Sequence, residues 1–324
     1  MARFLVRRVF WAIFLFLAAT VITYVIFFLI PADPAQLACG RACTPIDVHR
    51  VRHFLHLDEP VWRQYIRFLW NLVGHQSLGE SFLNRQSVNY LVSQDAPVTA
   101  SLVFGGAVFW LALSIPIGVL SALKPRSLLD RVSMTFVLVG ISAHPVWIGL
   151  LLSFFFGYKL GWTPIAGYCN FFGASAGSDC GGPVQWAYHM ILPWCTFMLL
   201  FAALYVRLIR ANVMETLGED YVRTARAKGA SERRVMVHHV LRNSMLPVVT
   251  ILGMDIGLAL GGAIFTESIF NLHGLGQQLL TAYSQVDLPV ITGIVVFATI
   301  AVIVFNLAVD VAYAFLDPRI RLSN

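Results

Sequence analysis

Glu219-Asp-Tyr-Val-Arg-Thr-Ala-Arg-Ala-Lys-Gly-Ala-Ser-Glu-Arg-Arg-Val235 is a charged, helix-prone stretch set between two long apolar runs. A membrane protein keeps such a segment in water, and one this rich in Arg and Lys belongs on the cytoplasmic side. A soluble partner can reach it there. The stretch implies a chain that builds a route through a membrane and takes its energy from a separate motor.

Composition agrees with that reading. Of 324 residues, 58% are hydrophobic and only 12% charged, whereas a soluble domain carries roughly 25% charged residues. Lipid must replace water around most of the surface. Six runs, near 9–30, 98–123, 132–157, 187–206, 246–266 and 289–315, match the roughly 20 apolar residues needed to cross a bilayer core. The expected fold is an all-α integral membrane protein. It has six transmembrane helices and a small helical outer segment between the first and second. The first run follows Arg3, Arg7 and Arg8 as a signal peptide would. It exceeds the usual apolar stretch of about 7–15 residues and lacks a small-residue cleavage site, so it reads as a retained anchor.

The basic residues set the orientation. With the N-terminus inside, the inner segments hold Arg3, Arg7 and Arg8; Lys124, Arg126 and Arg131; eight residues from Arg207 to Arg242; and Arg319 and Arg321. The outer segments hold six in 31–97, matched by six acids, then Lys159 alone in 158–186 and none in 267–288. Both termini of this multi-pass membrane protein are therefore expected in the cytoplasm. Short basic clusters between apolar runs, despite a net charge of +6, do not make the basic stripe that nucleic acid requires.

The outer segment 31–97 is too patterned to be a linker. Thr44-Pro45-Ile46-Asp47 has the form of a capping box with Pro at the first helical position. It predicts a helix to about His56. A second helix starts at Asp58-Glu59-Pro60 and carries Trp62, Tyr65, Ile66, Leu69 and Val73 at helical spacing. It is expected to pack on the spans or lie at the interface that Trp and Tyr favour. Cys39, Cys43, Cys169 and Cys180 all fall in outer segments, where disulfides persist, and Cys195 falls within a span. The local pairs Cys39–Cys43 and Cys169–Cys180 are the possible disulfides, with free thiols as the alternative.

Within the spans, Pro116 and Pro145 are expected to bend their helices. Gly253, Gly257 and Gly261 are spaced four apart and line one stripe of the fifth span. Two readings stand: packing within the chain, or contact with a second permease subunit across a shared pathway. Asp255 lies near mid-span, about 200° round the helix from Gly253, and either lines a substrate route or makes a structural hydrogen bond. His144 beside Pro145 and Glu267 join it as possible pathway residues. His144 has a second reading as a satisfied buried histidine. Asp310 has Asn306 one turn earlier and reads as a structural pair.

Several motifs do not carry the chemistry they suggest. Gly173-Ala-Ser175-Ala-Gly177, followed by Asp179 and His189, matches a nucleophile elbow, but that device needs a strand–turn–helix on an α/β sheet. A flexible Gly/Ser-rich loop is the better reading. Cys39, Cys43, His49, His53 and His56 have a gap too short for a zinc finger. His49 and His53 could hold a metal from one helix face or form its exposed polar face, and no metal site is assigned. No phosphate-binding Gly-x-x-x-x-Gly-Lys-[Ser/Thr] occurs, so nucleotide hydrolysis is expected in a partner and not in this chain.

The stretch Glu219–Pro247 resembles the EAA loop of bacterial ABC import permeases of the dipeptide/oligopeptide/nickel family. The resemblance spans nearly the whole chain: Leu57-Asp-Glu-Pro60, Gln64-Tyr65, Leu78-Gly-Glu-Ser81, Asp130-Arg131, Asp220–Gly229, Leu241–Pro247, Glu267-Ser-Ile-Phe270, Gly274-Leu-Gly276 and Leu316-Asp-Pro-Arg319. The long outer segment is similar to that of the B-type subunit. Two departures matter. Arg223-Thr224-Ala225 replaces Glu-Ala-Ala, with His239-Val-Leu-Arg242 where Ile-x-Leu-Pro is expected, and His273 stands where similar proteins tend to have Pro.

The resemblance implies a coupling helix within Tyr221–Arg234 that docks in a groove of an ATPase subunit. Tyr221, Arg223, Thr224, Ala225, Arg226, Lys228, Gly229, Ala230 and Arg233 are its expected contact residues, with Ala225 and Gly229 allowing close approach. It further implies a place in a bacterial cytoplasmic (inner) membrane, a homologous second permease subunit, two ATPase subunits or one fused ATPase holding ATP and Mg, and an extracytoplasmic binding protein. No cofactor is expected in this chain, which is not itself expected to be an enzyme. The organisation read from the sequence is an N-terminus and first helix over 1–30, the outer segment 31–97, a five-helix core 98–316 with the coupling loop at about 212–247, and a tail 317–324. Short peptides are the expected cargo, with nickel complexes or another small solute as the alternative. A secondary transporter, from a different class, would need mid-membrane ion-coupling charges and inverted repeats, and the chain shows one such acid and no repeat.

Overall fold

A computed structural model describes residues 2–26, 34–39, 44–54, 58–173, 180–260 and 263–316. Among them the regular structure is helical. The elements are α1 (Ala2–Tyr24), α2 (Pro34–Cys39), α3 (Pro45–Phe54), α4 (Val61–Gly74), α5 (Val88–Leu123), α6 (Leu128–Ser142) and α7 (Pro145–Leu152), the last continued by a π-helical turn, Ser153–Lys159. Then follow α8 (Pro183–Leu217), α9 (Asp220–Ala227), α10 (Glu232–Arg234), a second π-helical turn (Val235–Leu241) and α11 (Arg242–Ser244). The chain continues with α12 (Leu246–Leu260), α13 (Ile264–Phe270), α14 (Leu275–Gln285) and α15 (Leu288–Leu316).

Among the described residues four helices are long and apolar enough to cross a membrane: α1, α5, α8 and α15. Two bent pairs also qualify when each is taken as one span, α6 with α7 and its π turn, and α10–α11 with α12, which brings the number to six. The first pair corrects the continuous third span read from the sequence. It turns by 106°, because Ala143 and His144 are both extended, with ψ of 131° and 138°. A residue before proline is pushed out of the helical region, so Pro145 starts a new helix and does not bend an old one. Pro116, by contrast, leaves α5 unbroken. That helix begins ten residues before the expected start at 98, and α8 continues eleven residues past 206.

Local chemistry accounts for the short elements. The capping box forms at α3, where Thr44 Oγ1 donates to Asp47 Oδ2 (2.6 Å) and the Asp47 amide donates back to Thr44 Oγ1 (3.3 Å). The Thr44 side-chain bond, with its backbone amide and Arg50 adding to it, holds the Asp47 carboxyl below its usual pKa. The helix is described as far as Phe54; His56 lies outside the described residues.

The chain divides into two compact units. One comprises the described residues of Met1–Thr99, Gly257–Ile264 and His273–Val304. Its core is Val88 and Val92 of α5, Leu275 and Ala282 of α14, and Val290, Ile291 and Ile294 of α15. The Leu275 amide donates to Thr99 Oγ1 (2.8 Å). Buried Asp287 accepts from the Ser81 hydroxyl and from the Phe82 amide (3.1 Å), pinning the Leu78–Ser81 motif. Missing side chains permit the contacts: a Cβ on Gly293 would lie 2.4 Å from Val88.

The second unit comprises the described residues of Ala100–Ile256, Phe265–Leu272 and Phe305–Asn324. Here Trp110 of α5 stacks on Phe201 (4.6 Å between ring centroids) and Phe197 (6.3 Å) of α8. Gly105, Gly106 and Gly118 bring α5 against Trp194, Phe197 and Ile209 of α8. Gly140 does the same for α6 at Ala203.

Candidate coupling site

The charged stretch Glu219–Val235 folds as a short helix presented on a brace. Glu219 is extended, with ψ of 144°, and α9 starts after it. Of α9's eight residues Val222 alone is buried. Tyr221, Arg223, Thr224, Arg226, Lys228, Gly229 and Arg233 are exposed, and Ala225 and Ala230 are half-buried. The helix packs on the π turn Val235–Leu241, which packs in turn on α8. Buried Val235 and Val240 anchor that turn. The Asn243 side-chain amide donates to Tyr221 OH (2.7 Å), and Arg226 grips Glu232 through Nε (2.9 Å) and Nη2 (3.2 Å).

Gly229 closes the helix. Its φ is +79°, and its amide donates to Arg226 O (2.9 Å) while the Ala230 amide donates to Ala225 O (3.2 Å). This pair of bonds is the Schellman arrangement, which places a left-handed residue just past the helix. Nothing lies within 4 Å of where a Gly229 side chain would start. Within the chain the glycine is therefore demanded by backbone conformation and not by crowding.

The helix that leads into α9 carries part of a cluster that no local sequence pattern announced. Asp130 near the start of α6 is buried and receives Arg210 of α8 at Oδ1 (Nε, 2.7 Å) and Oδ2 (Nη2, 3.0 Å). Ser121 Oγ donates to the same carboxylate, and so does the Arg126 amide (2.8 Å). A carboxylate buried in an apolar bundle is costly unless fully bonded, and Asp130 accepts four hydrogen bonds, two of them from half-buried Arg210. The available signal was Arg210 itself, one turn after Val206 in a run that remains helical. Ending the span at 206 had placed it in a loop.

The possible pathway residues go to different partners. Asp255 Oδ2 accepts from Tyr205 OH (2.8 Å) on α8, while Gly253 on the same helix faces Val309 of α15. The acid thus points away from the glycine stripe, as its spacing required. His144 is exposed, correcting the buried alternative; its Nδ1 accepts from the Val146 amide (3.3 Å) as the cap of α7, and its ring meets Phe265. Glu267 is fully buried. Gly257, like Gly253, is used inside the chain: a Cβ there would lie 2.9 Å from Val302 Cα. Both glycines thus give room to α15 of the same chain. Gly261 lies outside the described residues, as does the side chain of Asp310.

Cys169 and Cys180 form a disulfide with 5.3 Å between their Cα atoms, and Cys195 is free. Cys43 lies outside the described residues. Among the described residues, Cys169, Cys180 and His189 are the group whose ligand atoms could converge on a metal. With both sulfurs in a disulfide, no thiolate is available there. His49 and His53 line an open groove with Pro45, Ile46 and Arg50; a guanidinium beside two imidazoles repels a cation. Ser175 and Asp179 lie outside the described residues, and His189 sits against Cys169 (3.2 Å).

The left-handed His273 settles the second departure. Its φ is +48°, and its amide donates to Gln277 Oε1 (2.7 Å). Proline can supply neither feature. The loop before Gly274-Leu-Gly276 is thus built for a residue with an N–H.

Residues 114–322 match the family model described as binding-protein-dependent transport system inner membrane component, and residues 1–103 match the model of its N-terminal part. The chain is 34% identical over 337 residues to the dipeptide transport system permease protein DppB of Escherichia coli strain K12, covering 99% of each chain. It is 36% identical over 335 residues to the di/tripeptide transport system permease protein DppB of Pseudomonas aeruginosa, again covering 99% of each. A solved structure of the MetNI methionine ABC transporter in an inward facing conformation is similar in fold. It has a TM-score of 0.55 at 16% identity, over 70% of this chain and 97% of that one. A multi-pass helical membrane protein that matches both models over nearly its whole length belongs to the family of binding-protein-dependent transport system inner membrane components.

Proposed function

We propose that this chain is a permease subunit of an ATP-driven importer of short peptides, lining half of the pathway with a homologous second subunit. Both termini and α9 lie in the cytoplasm of a bacterial cell, by the bias of Lys and Arg. Two ATPase subunits, or one fused ATPase, bind ATP and Mg and press on α9. An extracytoplasmic binding protein delivers the cargo. The peptide assignment rests on the names of the relatives, and the division of labour on the missing nucleotide-binding motif in this chain.

One observation carries the coupling role: α9 exposes nearly all of its polar and basic side chains while Val222 and the π turn hold it firmly to α8. A helix held on one side and open on the other transmits a push. The test is Arg223→Glu combined with Lys228→Glu in the assembled complex. Both side chains are exposed, so folding should be spared. Binding-protein-stimulated ATP hydrolysis and dipeptide uptake should fall at least tenfold with an unchanged melting temperature. Unchanged uptake would refute the docking role.

A further inference from the structure

Among the described residues, α4 meets α1 through polar and aromatic contacts at Leu17, Thr20 and Tyr24. Tyr24 OH donates to Gln64 Oε1 (2.9 Å), Thr20 Oγ1 and Tyr65 OH share a hydrogen bond (3.0 Å), and the Tyr24 ring meets Tyr65 (5.6 Å) and Phe68 (5.9 Å). A helix running beside α1 would spread its contacts over many turns. Here Gln64, Tyr65 and Phe68 all bear on the same end, so α4 crosses it. At about 1.5 Å per residue, α1 is roughly long enough for a bilayer core of about 30 Å. Its last turns, and with them α4, therefore sit at a membrane–water boundary.

The faces of α4 suit that position. Taking Trp62 as zero at roughly 100° per residue, Val73, Ile66 and Trp70 follow within about 80°. Arg63, Arg67 and Asn71 occupy about 100° to 180°. Gln64, Phe68 and Tyr65, which face α1, fill about 200° to 300°, and Leu69 at about 340° closes the circle. With the α1 contact at the side, the basic sector and the sector around Leu69, Trp62 and Val73 point in opposite directions along α1. Tyr65, next to the Leu69 side, reaches Leu17 and Thr20, while Gln64, next to the basic side, reaches Tyr24, so the Leu69 side lies toward the middle of α1 and the basic side toward its end. Trp62, Ile66, Trp70 and Val73 are 59%, 55%, 67% and 71% exposed, and α1 likewise exposes Phe10, Phe14 and Ile22.

The chemistry names the occupant. Indole rings favour the headgroup level of a bilayer, and arginine stems run along apolar surface while their heads stay in water. The Arg63 guanidinium lies 5.0 Å over the Trp62 ring, and Arg67 is held by Glu59 (2.7 Å). We propose that α4 is an interfacial helix whose Trp62–Ile66–Trp70–Val73 stripe is bedded in the headgroup–acyl boundary of the bilayer at the C-terminal end of α1. It would fix the height of the segment before α5 relative to the membrane.

Photo-crosslinking in the assembled transporter, held in phosphatidylethanolamine/phosphatidylglycerol nanodiscs, tests this. Benzoylphenylalanine would replace Trp62, Trp70 or Asn71, all exposed, with Phe14 of α1 as the lipid-facing control. The expected result is a phospholipid adduct by mass spectrometry at 14, 62 and 70 and none at 71. A protein adduct at 62 and 70, to the binding protein or another subunit, would overturn the proposal. A lipid adduct at 14 without one at 62 or 70 would overturn it too. Transport is not read, so failure here leaves the peptide-import proposal standing.

Discussion

The Arg210 guanidinium holds both carboxylate oxygens of Asp130, through Nε at 2.7 Å and Nη2 at 3.0 Å. The pair joins α8, which leads directly into α9, to the turn between α5 and α6. Any displacement of α9 carried by α8 must therefore be shared with that turn or must break the pair.

Removing one partner leaves a buried charge uncompensated, at a cost of about 3–5 kcal/mol. Asp130→Ala or Arg210→Ala should lower the melting temperature of the purified complex sharply. The double substitution should cost less than the sum of the two. Additive losses in a double-mutant cycle would show that the two residues act independently.

Gly229 is the second point. Its φ of +79° with open space around it means that Gly229→Ala should weaken the end of α9 by about 1–2 kcal/mol, through backbone conformation alone. Gly229→Asn, which tolerates that region better, should retain more coupling. Equal loss of ATPase-coupled uptake in both variants would point instead to a steric role in a partner's groove.

Asp255 and Tyr205 separate a route from a brace. Tyr205→Phe removes one hydrogen bond to a carboxylate and should cost about 1.5–3 kcal/mol if the acid is charged. If Asp255 also lines the route, Asp255→Asn should cut peptide uptake severalfold per folded complex. A drop in stability with uptake per complex unchanged would leave Asp255 as structure only.

At His273, proline would lose the amide bond to Gln277 and clash with a φ of +48°. His273→Pro should destabilise by more than about 1 kcal/mol, and His273→Gly should not. Melting curves of the two variants decide the matter; a stable proline variant would mean that this loop readily changes conformation.

The helical membrane class was legible in the sequence because hydrocarbon forces each spanning segment to satisfy its own backbone, and a helix does so within one apolar run. The exposed character of α9 was legible for the converse reason, since its charges have nowhere to go but water. The capping box at Thr44 was equally local. Less could be read where partners lie far apart in the chain. Gly253 and Gly257 displayed a stripe, but α15 as the neighbour filling it had no local mark. Asp130 and Arg210 are 80 residues apart, and nothing in the sequence around either names the other.

What the amino-acid order determined by itself was which segments seek lipid and which seek water, because those preferences belong to each segment alone. Tertiary structure alone decided that Asp130 receives Arg210, that Asp255 meets Tyr205 and that α4 crosses the end of α1. The bend of 106° before Pro145 was only half written locally: proline excluded a continuous helix, while its angle came from packing. Hydrophobicity is additive along a chain, whereas pairing depends on which helices come to lie side by side.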